Sequence, residues 1–473
     1  MRRWTAVIAM CLLPAVDASA QAPAFPHRPW SADDSARRVL EAPRRSSAFA
    51  FDPAKAYSLA ELIDIAQRHN PDTRAAWEQA RAQAAAFGVA RSELYPTLTA
   101  TALAQTSRSD VLVGTAFYRE DFTTAALTFD LAYMALDFGG RSARIVRARA
   151  DAVAANFGFT DVHRRLIFQV ADAYYRLLNA AGQEDAARAS LINAQTVQRA
   201  VEERLGTGLA TLPDVFEARS AAAQADYELQ AAVGGREIAL GNLATALGVM
   251  PSADLRVQPL VEIAPPDAIG ITVDEAIDRA FAGRPDLNRQ IAEARASDAH
   301  AREARAALYP TVNLRAQPSP QLQHGLEQTF RGTDVSGIVG RALVSVDWTV
   351  FDGGARRRAL AEAQASAAEA AARVDGARDQ IANDVWAAYS RFTTALRRRQ
   401  AATALLDSAS QSYAAALESY TLGVRSLLDV TAAQRSLAQA RSTDMLARTE
   451  ALIAVAELAY QTGDSIRATG HRP

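Results

Sequence analysis

Hydrophobic and polar positions along this chain follow two different periods, and the change between them happens twice. Val312, Leu314 and Ala316 alternate with Asn313, Arg315 and Gln317; further on, Val344, Val346, Trp348 and Val350 alternate with Ser345, Asp347 and Thr349. A period of two predicts strands with one apolar and one polar face. In the first half Leu127, Phe129, Leu131 and Tyr133 share a face opposed to Thr128 and Asp130, and Thr97 to Gln105 is a weaker opening strand. Polar loops, about 107–121 and 318–337, separate the members of each pair, so each half contributes one hairpin.

Around the hairpins the pattern is helical. Helices are predicted over Leu59 to His69 and Asp72 to Leu94, with Pro71 at the break, and over two proline-free stretches, Gly140 to Gly208 and Gly354 to Gly423. At a rise of 1.5 Å per residue each long stretch would reach about 100 Å, far more than a globular domain needs. Tyr95-Pro96 and Tyr309-Pro310 stop helices, because the residue before proline is pushed out of the α region. Gly139-Gly140 and Gly353-Gly354 supply the freedom for a tight strand-to-helix bend.

The pattern is written twice. Tyr95-Pro96-Thr97 recurs as Tyr309-Pro310-Thr311, Pro71-Asp72 as Pro285-Asp286 and Gly139-Gly140 as Gly353-Gly354, at an offset of 214; Gly208 then matches Gly423, and Asp214-Val215 matches Asp429-Val430, at 215. The expected organisation is a signal peptide over 1–20, an N-terminal extension over 21–57, a first repeat over 58–250, a linker over 251–271, a second repeat over 272–463 and a tail over 464–473. Its strands are placed at about 97–106, 122–136, 311–317 and 338–351. The segment from Gln21 to Ala56 is rich in proline and arginine and is expected to be poorly ordered.

Composition narrows the function. Arg2 and Arg3, the apolar stretch Thr5 to Val16 and Ala18-Ser19-Ala20 read as an export signal cleaved before Gln21. Cys11, the only cysteine, lies within that signal, which argues against a lipidated or disulfide-bonded mature chain. Beyond the signal no run of about 18 apolar residues offers a membrane-spanning helix. A formal net charge of -2 gives nucleic acid no footing as a partner. Lys55 is the sole lysine, so there is no phosphate-loop lysine, and His163 and His300 have no partner at metal-ligand spacing. No convergent catalytic site, metal or cofactor is expected, and the chain is read as not an enzyme.

A hairpin with one apolar face can sit in a bilayer only if its sheet closes. Four strands cannot close around a useful lumen, so several chains must share one barrel; three copies would give twelve strands. The alternatives left open are a soluble β-sandwich edge on a helical bundle and a periplasmic helical adaptor or scaffold.

The doubled hairpin between long helices, the Tyr-Pro-Thr entries, the glycine-pair exits and the turns Leu205-x-x-Gly208 and Tyr420-x-x-Gly423, each followed by Asp-Val, resemble the TolC-type outer-membrane channel family. The resemblance implies a mainly α fold with a transmembrane β-barrel, a homotrimer sharing a 12-stranded barrel and a periplasmic helical tunnel. It also implies outer-membrane lipid around the barrel, docking to a periplasmic adaptor protein, and an ATP-driven or proton-driven inner-membrane transporter. On the family pattern Asp214, Tyr420, Arg425 and Asp429 belong to the periplasmic gate, with Ala432 standing where a second aspartate often lies. Gly208, Leu209, Gly423 and Val424 fall in the adaptor-facing turns. A plainer role competes, because Thr211-x-x-Asp214 and Ser426-x-x-Asp429 also fit helix capping boxes. The cargo is read as an unfolded protein such as a toxin, exported by type I secretion, with drug or small-molecule efflux as the alternative.

Overall fold

The computed structural model describes residues 49–252, 255–259, 270–327 and 330–464. The expected signal peptide with Cys11, most of the extension, part of the linker and the tail beyond Asp464 lie outside the described residues.

The first half comprises β1 (Ala56–Tyr57), α1 (Leu59–His69), α2 (Pro71–Ser92), β2 (Thr97–Val113), β3 (Ala116–Leu136), α3 (Gly140–Gly206) and α4 (Leu212–Leu247). After β4 (Arg256–Val257) the second half repeats the order: α5 (Val273–Gly283), α6 (Pro285–Ala306), β5 (Thr311–Glu327), β6 (Phe330–Asp347), α7 (Ala355–Thr421) and α8 (Leu427–Thr462). Corresponding helices have identical lengths of 11, 22, 67 and 36 residues, which makes the duplication structural as well as textual. Local chemistry repeats too. Ser58 with Glu61, and Thr272 with Glu275, close capping boxes on α1 and α5, and Pro71 and Pro285 occupy the first turns of α2 and α6.

One part of the extension is ordered, contrary to expectation. Strand β1 pairs in parallel with β4, Phe51 and Tyr57 are buried edge to face at 5.5 Å, and the Asp52 amide donates to the Tyr57 hydroxyl at 3.0 Å. Two aromatic side chains gain enough burial here to fix a segment whose composition alone argues for disorder.

Each long helix carries a rod made of two shorter ones. Helix α4 ends in Gly248 (φ 73), whose Cα approaches the Asn70 backbone so closely that an added Cβ would stand 2.7 Å from the Asn70 Cα. Asn70 donates its side-chain amide to the Ala246 carbonyl at 3.0 Å, so α4 runs on into α2. In the second half Gly463 (φ 79) packs on Gly283 and Arg284, and α8 runs on into α6. The packing order is α4 with α2, then α3, then α8 with α6, then α7. The cores between rods are thin and rich in alanine, as in Ala194, Ala222 and Ala225, which lets the axes approach closely.

The four long strands form one antiparallel sheet in the order β2-β3-β5-β6, the same order as the helices attached to them. The cross-strand register puts Leu98, Ala100, Ala102, Leu127, Phe129, Leu131, Tyr133, Leu314, Ala316, Ile338, Val344 and Val346 on one face. Thr99, Thr101, Thr128, Asp130, Asn313, Arg315, Gln317, Arg341 and Ser345 take the other. Trp348, expected to continue β6, lies just past its end, and its indole N–H donates to the Leu308 carbonyl at 3.3 Å.

Apart from a turn at 114–115, the described residues of both stretches read as polar loops are strand. The β2–β3 ladder runs unbroken to Val113 opposite Ala116, around a turn at Gly114 (φ 66), and β5 pairs with β6 out to Glu327 opposite Phe330. Beyond Thr106 and Thr123 the faces become mixed: Arg108 bridges Asp121 at 2.5 Å and Arg119 bridges Asp110 at 3.5 Å on the face that is apolar lower down, which turns apolar again at Leu112 and Phe117. The apolar alternation is interrupted there while the backbone ladder continues, so the sequence pattern ends before the strand does.

Pro318 and Pro320 sit mid-strand in β5. Their pairing with β6 is intact, but no ladder pairs join Leu127–Asp130 of β3 to this stretch. The missing N–H groups face β3. Side chains span the gap instead: Thr128 meets Ser319 at 2.9 Å and Gln317 donates to Asp130 at 2.7 Å.

The one-residue slip between the repeats lies near the second hairpin tip, where the register shifts between Gly325 and Glu327. The glycine pairs are therefore not equivalent position for position. Phe138 (φ 51) corresponds to Gly353 (φ 67), Gly139 (φ 93) to Gly354 (φ 90), and Gly140 is already the first residue of α3, as Ala355 is of α7. A left-handed Phe138 is costly for a side chain, and its ring stacks on Tyr309 at 5.3 Å.

Candidate functional site

Among the described residues no enclosed reaction centre stands out. Among the described residues no group of histidine, cysteine or carboxylates is placed to hold a metal, and no helix is long and apolar enough to cross a membrane. What it builds with care is the end of the helical wall farthest from the sheet, where the turns between α3 and α4 and between α7 and α8 lie together.

Both turns are closed alike. Gly208 (φ 74) and Gly423 (φ 79) adopt the left-handed conformation; the Leu209 amide donates to the Arg204 carbonyl at 2.8 Å and the Val424 amide to the Ser419 carbonyl at 2.9 Å. These are Schellman closures, which need a residue free of Cβ strain at the reversal. They push Leu209 and Val424 outward at 68% and 78% exposure, beside exposed Leu212, Phe216, Leu422 and Leu428. Gly208, Leu209, Gly423 and Val424 thus form two matching apolar knuckles at the tip.

The aspartates are engaged locally. Asp214 Oδ2 accepts from the Thr211 amide at 2.8 Å and the Thr211 hydroxyl at 2.7 Å. Asp429 Oδ2 accepts from the Ser426 amide at 3.1 Å and hydroxyl at 2.8 Å, while the Asp429 amide donates back to Ser426 Oγ at 3.3 Å. The hydroxyl and amide of Thr211 hold the Asp214 carboxyl below its usual range, and those of Ser426 do the same for Asp429, where Arg425 also contributes through space. Both stay charged at neutral pH at the helix ends that favour an anion. Their capping geometry is compatible with projecting charge outward, since Asp429 is exposed.

Tyr420 is different, being buried in a cluster with Val197, Val201, Val215, Ala218, Leu427 and Val430 that joins the two halves. Its partner within the chain is Arg204, which the sequence reading missed. The Arg204 guanidinium lies 4.7 Å from the centroid of the Tyr420 ring and donates to the Tyr420 carbonyl at 2.7 Å. Burial pushes the Tyr420 phenol up, opposed by Arg204 and reinforced by Asp214. Among the described residues the Arg425 side chain forms no hydrogen bond or ion pair, and the structure does not bring it to Tyr420 or Asp214 within one chain. Arg204 has no counterpart in the repeat, where Ser419 takes its place. The available signal was an arginine one residue before the Leu205-x-x-Gly208 turn.

Midway along the wall, where α8 stacks on α6, lies a second polar knot. Arg164 bridges Asp161 at 2.9 Å and Asp286 at 3.4 Å, donates to the Tyr460 carbonyl at 2.6 Å and lies over the Tyr460 ring at 4.3 Å. Arg284 bridges Asp286 at 2.6 Å and Asp384 at 3.6 Å. Burial raises the Asp286 carboxyl, but hydrogen bonding to Arg284 and the charges of Arg284 and Arg164 outweigh it and leave it lowered.

At the strand-to-helix bends, Asp137 accepts from the Arg141 amide and Asp352 from the Gly354 and Arg356 amides. Arg141 and Arg356 reach across to the Glu93 and Ala307 carbonyls, both at 3.1 Å, tying each bend to the end of the preceding helix.

A family model described as outer membrane efflux protein matches residues 62–249 and 276–464, one match per repeat and together most of the chain. Protein CyaE of Bordetella pertussis is 27% identical over 394 residues, 82% of this chain and 80% of that protein. The pyoverdine export outer membrane protein OpmQ of Pseudomonas aeruginosa is 31% identical over 289 residues, 59% of each chain. The solved outer-membrane channel OprN superposes with a TM-score of 0.74 at 21% identity, covering 88% of this chain and 94% of that one. VceC of Vibrio cholerae does so with a TM-score of 0.73 at 20% identity, covering 86% and 96%. At these identities the structural likeness speaks for the fold.

Proposed function

The chain belongs to the outer membrane efflux protein family, and from that premise we propose that three copies form the passive exit duct of a tripartite machine for type I secretion of an unfolded protein such as a toxin. It is an outer-membrane channel protein with a long periplasmic extension, not an enzyme. The observation that carries the trimeric duct is the shared order of strands and rods. Both leave the same two edges open, β2 with α2 and α4 on one side and β6 with α7 on the other. In lipid an unpaired strand edge is untenable, so β6 of one copy pairs with β2 of the next, a head-to-tail contact that closes into a ring. The rods at these edges expose Trp77, Phe216 and Tyr227 on one side and Trp386 and Leu405 on the other, apolar surface that the same contact covers. Twelve strands fall within the range of outer-membrane barrels.

In this reading Asp214, Tyr420, Arg425 and Asp429 line the periplasmic gate, with Arg425 finding its partner across a copy boundary, and the knuckles at Gly208, Leu209, Gly423 and Val424 meet a periplasmic adaptor. An inner-membrane transporter, driven by ATP or protons, supplies the energy. The absence of a lipid-bearing cysteine at the expected cleavage point favours protein cargo. Export of a small molecule is the second reading, favoured by the likeness to OpmQ, whose name assigns it pyoverdine export. Deleting the chain separates them: loss of one secreted protein from the medium, without a periplasmic intermediate, supports secretion. Unchanged secretion with raised sensitivity to small toxic compounds overturns it in favour of efflux.

A further inference from the structure

We infer that the junction between sheet and helices is an anionic-phospholipid belt, gripping acidic headgroups of the periplasm-facing leaflet; this rests on the sheet spanning the outer membrane. Two observations meet there. The first is where the apolar face of the sheet ends. Below Val344 and Val346 the chain continues through Trp348, Val350 and Phe351, all exposed, Phe351 at 86%. Aromatic side chains at this depth sit at headgroup level.

The second is a charge excess within about one helical turn of the same junction. Arg91 and Arg305 stand near the ends of α2 and α6, at equivalent positions of the two repeats, and Arg357 and Arg358 stand in the first turn of α7. All four are exposed, and among the described residues none forms an ion pair. Four of the carboxylates at this level already have arginine partners: Glu93 pairs with Arg144 at 2.7 Å, Asp137 with Arg144 at 3.5 Å, Glu303 with Arg144 and Arg147, and Asp352 with Arg356 at 2.6 Å. Asp347, at the end of β6, is held by Asn313 at 2.9 Å and Ser345 at 3.1 Å, and Arg91 lies 5.9 Å from the centroid of the Phe87 ring; the fold thus leaves four cations without an acidic partner next to an apolar rim. A cation beside an apolar edge matches a phosphodiester headgroup above its acyl chains, since arginine keeps its charge and offers a planar fork to phosphate oxygens. Repetition of Arg91 as Arg305 distributes the cations around a closed barrel instead of gathering them at one point.

The test uses the full chain, reconstituted into nanodiscs of mixed phosphatidylglycerol and phosphatidylcholine. Lipid retained by the protein is expected to be enriched in phosphatidylglycerol by at least about fivefold. The combined R91Q, R305Q, R357Q and R358Q variant is expected to lose that enrichment while still inserting, and the corresponding lysine variant to keep part of it. Excess inorganic phosphate is expected to leave the enrichment in place, because the apolar rim contributes; displacement by phosphate would mean a simple anion site and overturn the belt. Equal retention of both lipids, or enrichment that survives in the glutamine variant while ion selectivity of the pore changes, overturns it too and puts these arginines in the lumen. A chain that inserts into neither lipid overturns the duct as well.

Discussion

Arg204 lies over the ring of Tyr420, 4.7 Å from its centroid, and holds the Tyr420 carbonyl at 2.7 Å, so one guanidinium joins the two halves of the chain beside their exposed tips. A charge-assisted bond contributes about 1.5–3 kcal/mol, and a partly desolvated cation–π contact adds about 1 kcal/mol. If the tip is the closed end of a tunnel, Arg204→Ala is expected to raise single-channel conductance in planar bilayers severalfold, with Arg204→Lys intermediate because it keeps the charge and loses the fork. Identical conductance in all three proteins would remove Arg204 from the gate.

Asp429 has two candidate jobs that one pair of substitutions can separate. Asp429→Asn keeps an oxygen acceptor for the Ser426 amide but removes the charge, whereas Asp429→Ala removes both. If three copies of Asp429 ring an axis, block by multivalent cations is expected to weaken severalfold in both variants. Amide exchange at Ser426 should then accelerate only in the alanine variant. Block that survives in the asparagine variant would leave Asp429 as a helix cap alone.

The caps also fix a pH sense. Asp214 and Asp429 have folded-state values lowered by Thr211 and Ser426. Their contribution is thus complete above the ordinary aspartate value, near 4, and is lost only as pH falls through the lowered folded values. Exchange protection of the Thr211 and Ser426 amides is expected to be constant from about pH 8 to pH 5 and to decline in acid below about pH 4. Loss of protection near pH 6 would indicate another group.

Much of the fold was legible because the two environments write different periods. Leu127, Phe129 and Leu131 announce a strand, and the absence of proline from Gly140 to Gly208 announces a long helix. The strand tips were not legible, since Arg108 and Asp121 pair across the ladder on the face that is apolar lower down, and charges that interrupt the alternation imitate a loop. The shared aspartates could be found by comparing the halves, but Arg204 could not. Its partner lies in the other repeat, and a search for what the halves share passes over what only one of them has. Trp348 marks a further limit, because its surroundings depend on where β6 ends, and the inserted residue near Gly325 shifts that point by one relative to the first repeat.

Gly248 tests whether end-to-end stacking of the helices matters. An alanine there would take a left-handed conformation and bring its Cβ to 2.7 Å from the Asn70 Cα, whereas the same change at Gly208 meets nothing within 4 Å. Both changes incur the backbone term of about 1 kcal/mol; only Gly248→Ala also forces α4 away from α2, for a total of about 2–4 kcal/mol. Thermal dissociation of the assembly should fall by several degrees for Gly248→Ala and by much less for Gly208→Ala. Equal shifts would mean that the junction yields without strain.

The mid-wall knot makes the sharpest stability prediction, because Arg164 and Asp161 are both almost fully buried, at 9% and 5% side-chain exposure, and 2.9 Å apart. Removing one partner of a buried pair typically costs about 3–5 kcal/mol when the other charge is left without compensation, and Asp286, 3.4 Å from Arg164, lowers that cost here. Asp161→Ala retains Arg164 with only Asp286 to answer it, at the point where α3 of one half grips α8 and α6 of the other. Heating should therefore separate the halves earlier, and exchange protection should fall first around Tyr460, whose carbonyl Arg164 holds. Replacing both residues together with leucine restores apolar packing without a stranded charge, and is expected to recover a large part of the loss. Thermal unfolding of the single and double variants decides the matter. A double variant as unstable as Asp161→Ala would show that Arg164 acts through Tyr460 and Asp286, and that its bond to Asp161 is incidental.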